Sequence, residues 1–274
     1  MSHYYIMGPN GPQRFRPIKK DGAEYQNIPA KLVAGAGAVD GLTSILSEYG
    51  GVGGLMYWSS KIGVQVGIRH GMREALKLGA AVCYENEADL ENATVERLTP
   101  DAMKAWLKEK DSAADAGTAI HDAIENFLGK GIVPENPIHQ TAAHACWDWL
   151  ASQGVDPSEG KAEVCCLYKG IINGVLCQFG GTTDFISDGL IVDWKSISDN
   201  RQRKPKESEC AQLAGYRKAF DKPNARCVNI YIGRESGKIL SVKEWTNAEL
   251  KAGLDVIAQL FKIRSLYAQI GGKS

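Results

Sequence analysis

Asp193 and Lys195 stand two residues apart in the run Leu190-Ile191-Val192-Asp193-Trp194-Lys195-Ser196. On a strand, such residues leave the same face, so a carboxylate and an ammonium point one way and Trp194 the other. The apolar residues just before them imply a buried strand, where unpaired charges are costly. Asp184 precedes the turn signal Ser187-Asp188-Gly189, and antiparallel pairing across that turn brings it within reach of Asp193. Two neighbouring carboxylates repel each other unless they share a cation, and hard oxygen ligands suit Mg²⁺ or Mn²⁺. A lysine beside them can orient a water or stabilise charge developing on a phosphate. The same Asp-x-Lys pattern also serves as an ordinary cross-strand ion pair. The apolar run weighs against that plainer reading.

A second group lies upstream, where Gly117, His121 and Glu125 recur at i, i+4 and i+8 on a helix whose apolar face is Ile120, Ile124, Phe127 and Leu128. A stripe of Gly, His and Glu can press closely on a metal site; a His-Glu surface contact is the alternative. A third pair, Gln212 and Tyr216, shares a helix face and could hold a phosphate or a base, although both types are also ordinary on half-buried faces. Between strand and helix lies Asn200-Arg201-Gln202-Arg203-Lys204-Pro205-Lys206. Nine basic residues against four acidic ones over 195–226 offer phosphate contacts through Arg201, Arg203, Lys204 and Lys206.

These groups need elements to position them. Strands are expected over 163–168, 174–186, 190–196, 226–233 and 238–244, with short extended pieces at 13–19 and 23–28 around Asp21-Gly22. Helices fit a broken stretch over 42–78, then 100–110, 112–128, 138–153 and 207–220, and a long terminal helix opened by the Thr246/Glu249 capping box. The fold class expected is α/β. Residues 1–110 read as an N-terminal hairpin and helical elaboration and 111–274 as the core, together one compact domain.

Composition sets the outer bounds. With 274 residues, 44% apolar and 23% charged, the chain can bury a core without staples, and its net charge of zero gives no global attraction to phosphate or lipid. Seven cysteines form no C-x-x-C pair, which points to buried thiols in a reducing compartment. The amino terminus lacks a basic segment leading into a long apolar run, and no apolar stretch is long enough to span a bilayer, so a cytoplasmic protein with no membrane partner is expected.

In chain order the pieces are Gly-Thr-x-x-His-x-x-x-Glu, a strand near Glu163, Gly-Gly-Thr-Thr-Asp184, Asp193-Trp-Lys195-Ser and Gln212-x-x-x-Tyr216. This order resembles the PD-(D/E)xK nuclease superfamily, in its RecB-type and phage-exonuclease branch. Leu42 to Leu46, followed by Trp58 and Lys61, also looks like that branch, and the likeness spans roughly 40–220. It implies a central mixed sheet flanked by helices, a restriction-endonuclease-like core, and a metal-dependent deoxyribonuclease acting as an exonuclease in recombination or repair. By the same resemblance Asp184 and Asp193 would bind Mg²⁺ or Mn²⁺, with His121 and the Trp194 carbonyl as further ligands and Lys195 as the catalytic lysine. Glu125 and Glu163 would support the site or bind a second metal, and Gln212 and Tyr216 would position the substrate strand. The cysteines lack the spacing of the iron-sulfur members, so no cluster is expected. Implied partners are DNA with a free end, a single-strand-annealing recombination protein and other copies of the chain. A DNA-binding recombination protein without catalysis is the alternative.

Overall fold

The computed structural model describes residues 3–19, 21–25, 27–49, 116–200 and 204–270. Nearly all of them belong to one compact unit, formed by Met1–Gly50 together with Gly117–Ser274. The expected helix over 100–110, most of the stretch over 42–78, and Trp58 and Lys61 lie outside the described residues.

Elements follow in the order β1 (Tyr4–Gly8), β2 (Gly11–Arg14), α1 (Ala30–Gly35), β3 (Val39–Asp40) and α2 (Leu42–Tyr49). After these come α3 (116–130), α4 (Pro137–Ser152), β4 (Lys161–Ile172), β5 (Val175–Ile186), β6 (Leu190–Ile197), α5 (Glu207–Ala219), β7 (Arg226–Gly233), β8 (Ile239–Trp245) and α6 (Asn247–Ile270). The main sheet runs β4-β5-β6-β7-β8, and a small sheet runs β2-β1-β3. Among the described strands only β6 and β7 form a parallel ladder; α5 makes the crossover between them that parallel strands require.

Local chemistry accounts for the junctions. Asn173 and Gly174 take positive φ of 48° and 79°, the type I′ geometry that joins β4 to β5 with a two-residue loop. Asn136 caps α4 by accepting from Ile138 N at 2.9 Å, with Pro137 in the first turn. Thr246 and Glu249 form the anticipated box at the start of α6, with Thr246 N 2.7 Å from Glu249 Oε2 and Glu249 N 3.2 Å from Thr246 Oγ1.

Two apolar clusters sandwich the sheet. On one face Cys177, Phe179, Ile191 and Cys227 pack against α2, α5 and α6 through Leu42, Leu213 and Ile257. On the other, Val192, Trp194, Val228 and Ile230 pack against α3 and α4 through Ile120, Ile124 and Cys146. The alternation 190, 192, 194 against 191 is the period-two pattern of a strand buried on both faces. The result is an α/β fold with a mixed sheet flanked by helices.

One expectation needs correcting. The N-terminal hairpin is formed by β1 and β2, which turn over Pro9-Asn10, and not by 13–19 and 23–28. Gly8 and Gly11 pair across that turn, and Gly11 adopts φ of 114°. Among the described residues the Asp21-Gly22 turn supports a single bridge, Ile18 to Glu24. Among the described residues no helix is long and apolar enough to cross a membrane.

Candidate active site

The site forms where β5 and β6 part. Their ladder covers only Phe185↔Val192 and Ile186↔Ile191. At the next step Asp184 turns its side chain into the gap, and Oδ2 accepts the backbone N–H of Trp194 at 2.6 Å. Thr183 Oγ1 donates to the Val192 carbonyl at 3.2 Å. Farther along, β5 is free to bridge Gly41 at Gly180. Gly180 and Gly181 carry no side chain because Tyr5 and Tyr216 occupy the space: a Cβ on Gly180 would lie 2.3 Å from Tyr5 Cβ, and one on Gly181 would lie 2.2 Å from Tyr216 Cε1.

Asp193 faces α5, opposite to Trp194, as the strand period requires. It is 3% exposed, and four contacts hold its carboxylate and backbone in place. Lys195 Nζ lies 2.6 Å from Oδ2. Gln212 Nε2 donates to Oδ1 at 3.1 Å, and Asn229 Nδ2 donates to Oδ2 at 2.7 Å and to the Asp193 carbonyl at 3.4 Å. These partners are themselves anchored: Trp245 Nε1 donates to Asn229 Oδ1 at 2.7 Å, and Gln212 lies 3.0 Å from the Tyr216 hydroxyl. Lys195 also reaches Gln212 Oε1 at 3.4 Å. Burial and the neighbouring Asp184 push the Asp193 carboxyl up to about 6, against the pull of Lys195. Lys195 is raised above its ordinary value: burial opposes its charge, but Asp193 and Asp184 outweigh it.

Helix α3 crosses the gap from the other face. A Cβ on Gly117 would meet Ser196 Oγ at 2.5 Å, so the helix start lies directly on β6. His121 Nδ1 is 3.6 Å from Asp184 Oδ2. Burial lowers the His121 pKa, Asp184 raises it, and the net shift is upward. The same pairing lowers Asp184 in spite of its burial. One turn on, Glu125 adds to the negative field at Glu163 on β4, whose carboxyl burial and Asp184 push up to about 7. The stripe Gly117-His121-Glu125 thus addresses β6, β5 and β4 in turn.

Glu163 has φ of 50°, a left-handed conformation rare for a non-glycine residue in a strand. Arg14 of β2 lies 3.2 Å from its Oε2 and donates to Thr182 Oγ1 at 3.3 Å. Tyr5 is within 3.2 Å of the same hydroxyl. The small sheet therefore closes one side of the gap with a cation.

The structure brings His121, Asp184, Asp193, Lys195 and Glu163 together, with Glu125 near Glu163. Gln212 and Tyr216 lie beneath Asp193; a phenol that is 2% exposed and engaged by Gln212 supports a carboxylate and does not present itself to a strand of substrate. Lys204 and Lys206 are exposed ahead of α5, while Arg201 and Arg203 lie outside the described residues. Sequence reasoning missed Asn229, Trp245, Arg14, Tyr5 and Thr182. Asn229 did leave a signal, a lone amide within Cys227-Val228-Asn229-Ile230-Tyr231-Ile232. Arg14 left none. Six cysteines are free among the described residues. A cleft of about 540 Å³ lies around the 187–189 turn, and none of the site residues lines it.

Among the described residues no three His, Cys, Asp or Glu side chains already form a metal-holding group. The donor chemistry nevertheless fits a hard cation. The Asp184 side chain is 13% exposed, and both of its polar contacts use Oδ2, which leaves Oδ1 to a further partner. Burial raises Asp193 and Glu163, and the neighbouring Asp184 adds to it; a divalent ion relieves that crowding of carboxylates.

No family model matches the chain, and no curated protein matches it. Among solved structures it is similar to the crystal structure of SSO0001, at 15% identity and a TM-score of 0.32, over 70% of this chain and 84% of that one. It is also similar to a proposed exonuclease of Eubacterium rectale, at 10% identity and a TM-score of 0.39, over 58% of this chain and 69% of the other. Likenesses at this level assign no activity.

Proposed function

We propose that the chain is a metal-dependent deoxyribonuclease of the PD-(D/E)xK type, acting as an exonuclease on DNA with a free end. The observation that carries this reading is the convergence of Asp184, Asp193, Lys195 and His121 where β5 and β6 separate. Buried carboxylates with an ammonium and an imidazole in one gap are costly to a fold and need a compensating use. Asp184, Asp193, His121 and the Trp194 carbonyl would hold Mg²⁺ or Mn²⁺, with Glu163 available to a second ion. The bound cation would supply Lewis acidity toward a phosphoryl oxygen.

The chain's own groups perform the remaining work. Two of the three Lys195 N–H groups are directed at Asp193 and Gln212, and the third is available to an attacking water. Through that N–H Lys195 would orient the water as a donor. Gln212 and Asn229 hold the Asp193 carboxylate in one orientation, which limits the reorganisation needed at the moment of reaction. Lys204 and Lys206, with Arg201 and Arg203, would contact phosphates with little sequence preference.

The test is digestion of end-labelled linear and closed-circular DNA in Mg²⁺, in Mn²⁺ and in EDTA, with Asp193→Ala and Lys195→Ala alongside. Metal-dependent loss of the linear substrate alone, abolished by both substitutions, is the expected result. Cleavage of the circle would make the enzyme an endonuclease. Binding without cleavage in either metal would overturn the enzyme reading in favour of a binding protein.

A further inference from the structure

Strand β7 shadows the reactive strand. In the parallel register Asp193 faces Asn229 and Lys195 faces Tyr231, so each reactive residue has a buried polar neighbour on the next strand. Asn229 serves Asp193 directly. Tyr231, 0% exposed, instead donates its hydroxyl to Glu209 Oε2 at 2.6 Å. The same oxygen accepts the backbone N–H of Lys206 at 3.0 Å. Glu209 is 4% exposed and sits one turn before Gln212 on the face of α5 that covers β6 and β7. Glutamate is rarely buried so deeply without a reason.

Three facts connect this carboxylate to the reacting end of the site. Tyr231, which holds it, is the register neighbour of Lys195. Gln212, the next residue on the same helix face, contacts Lys195 and Asp193. Glu209 itself lies buried on the α5 side that packs on β6, the strand of Lys195. Its oxygen is at the same time the anchor of the segment carrying Lys204 and Lys206.

We infer that Glu209 is a positioning residue for Lys195 and that it joins the exposed basic segment to the reactive strand through one carboxylate oxygen. The inference rests on the nuclease reading and deepens it. Glu209 acts through Tyr231 on the neighbouring strand and through the helix face it shares with Gln212, so Lys195 is not oriented by Asp193 alone. Removing its charge, or loosening its hold, affects the reaction more than the binding of DNA.

The test compares wild type, Glu209→Gln, Glu209→Asp and Tyr231→Phe as full chains. Three quantities are read: single-turnover cleavage of end-labelled duplex in Mg²⁺, affinity for the same duplex in EDTA by fluorescence anisotropy, and thermal unfolding. Glu209→Gln is expected to slow cleavage by roughly 10–100-fold while affinity stays within about twofold, because an anion beside lysines is being removed. Glu209→Asp, which keeps the charge on a shorter arm, is expected to recover part of that loss. Tyr231→Phe is expected to slow cleavage by roughly 3–10-fold, and it carries the test if the glutamine variant does not fold. Cleavage by Glu209→Gln within about twofold of wild type would overturn the inference. So would a parallel fall of rate, affinity and melting temperature in the Glu209 and Tyr231 variants, since that marks a helix cap only. Absence of cleavage by the wild type itself would remove the nuclease reading, and this inference with it.

Discussion

Gly181→Ala is the perturbation that most directly probes how the fold holds Asp193. The new Cβ would lie 2.2 Å from Tyr216 Cε1 and 2.9 Å from Cζ, so the ring would have to retreat about 1.2 Å to reach an ordinary contact of 3.4 Å. Tyr216 is 2% exposed, and close-packed interiors leave a buried ring little room to retreat. Overpacking of this kind costs about 1–3 kcal/mol, and alanine's entropic advantage over glycine in a strand returns about 0.5–1 kcal/mol. Taking the middle of both ranges, the net loss expected is about 1.3 kcal/mol, which at a urea m-value of about 2–3 kcal/mol/M lowers the unfolding midpoint by roughly half a molar. The displaced ring also pulls on Gln212, 3.0 Å from its hydroxyl, and through it on Asp193 Oδ1 at 3.1 Å. Cleavage is expected to slow by about tenfold, less than the hundredfold that a direct 1 Å misplacement can produce. In Gly181→Ala/Tyr216→Leu the clash is gone, so a urea double-mutant cycle should show coupling of about 1 kcal/mol or more. Wild-type stability in the single variant, or strict additivity in the pair, would refute the reasoning.

Two further outcomes follow from the same geometry. Asn229→Leu strips Asp193 Oδ2 of one donor and leaves Trp245 Nε1 without its acceptor, so thermal unfolding should report a loss of about 1–3 kcal/mol, and Asn229→Asp, which sets a like charge against Asp193, should do worse; no change in either would refute the role given to Asn229. Glu163, with its carboxyl raised from 4.5 to about 7, binds its proton more tightly in the folded chain than in the unfolded one. Its contribution is complete below about 4.5 and is lost as pH rises through about 7, so wild type should lose stability relative to Glu163→Gln across that window, measured by urea titration in EDTA at several pH values. Parallel pH curves for the two proteins would show that the carboxyl is not perturbed.

What the sequence determined was local and periodic. The two-residue spacing of Asp193 and Lys195 fixed their common face, the Ser187-Asp188-Gly189 turn brought Asp184 to the same end of the sheet, and the four-residue spacing of Gly117, His121 and Glu125 fixed a stripe. Each of these follows from the period of a strand or a helix, which any short window displays. The tertiary structure decided which elements meet. Asn229 reaches Asp193 only because β7 lies parallel to β6 in one register, and Tyr231 falls beside Lys195 by the same register. Arg14 and Tyr5 meet Glu163 and Thr182 only because the small sheet docks on β4 and β5. Gln212 and Tyr216 shared a face in the sequence, but whether that face met solvent or the strand beneath depended on where α5 packed. Pairings between residues far apart in the chain carry no local periodicity. They are set by which apolar faces can be buried together, a property of the whole fold.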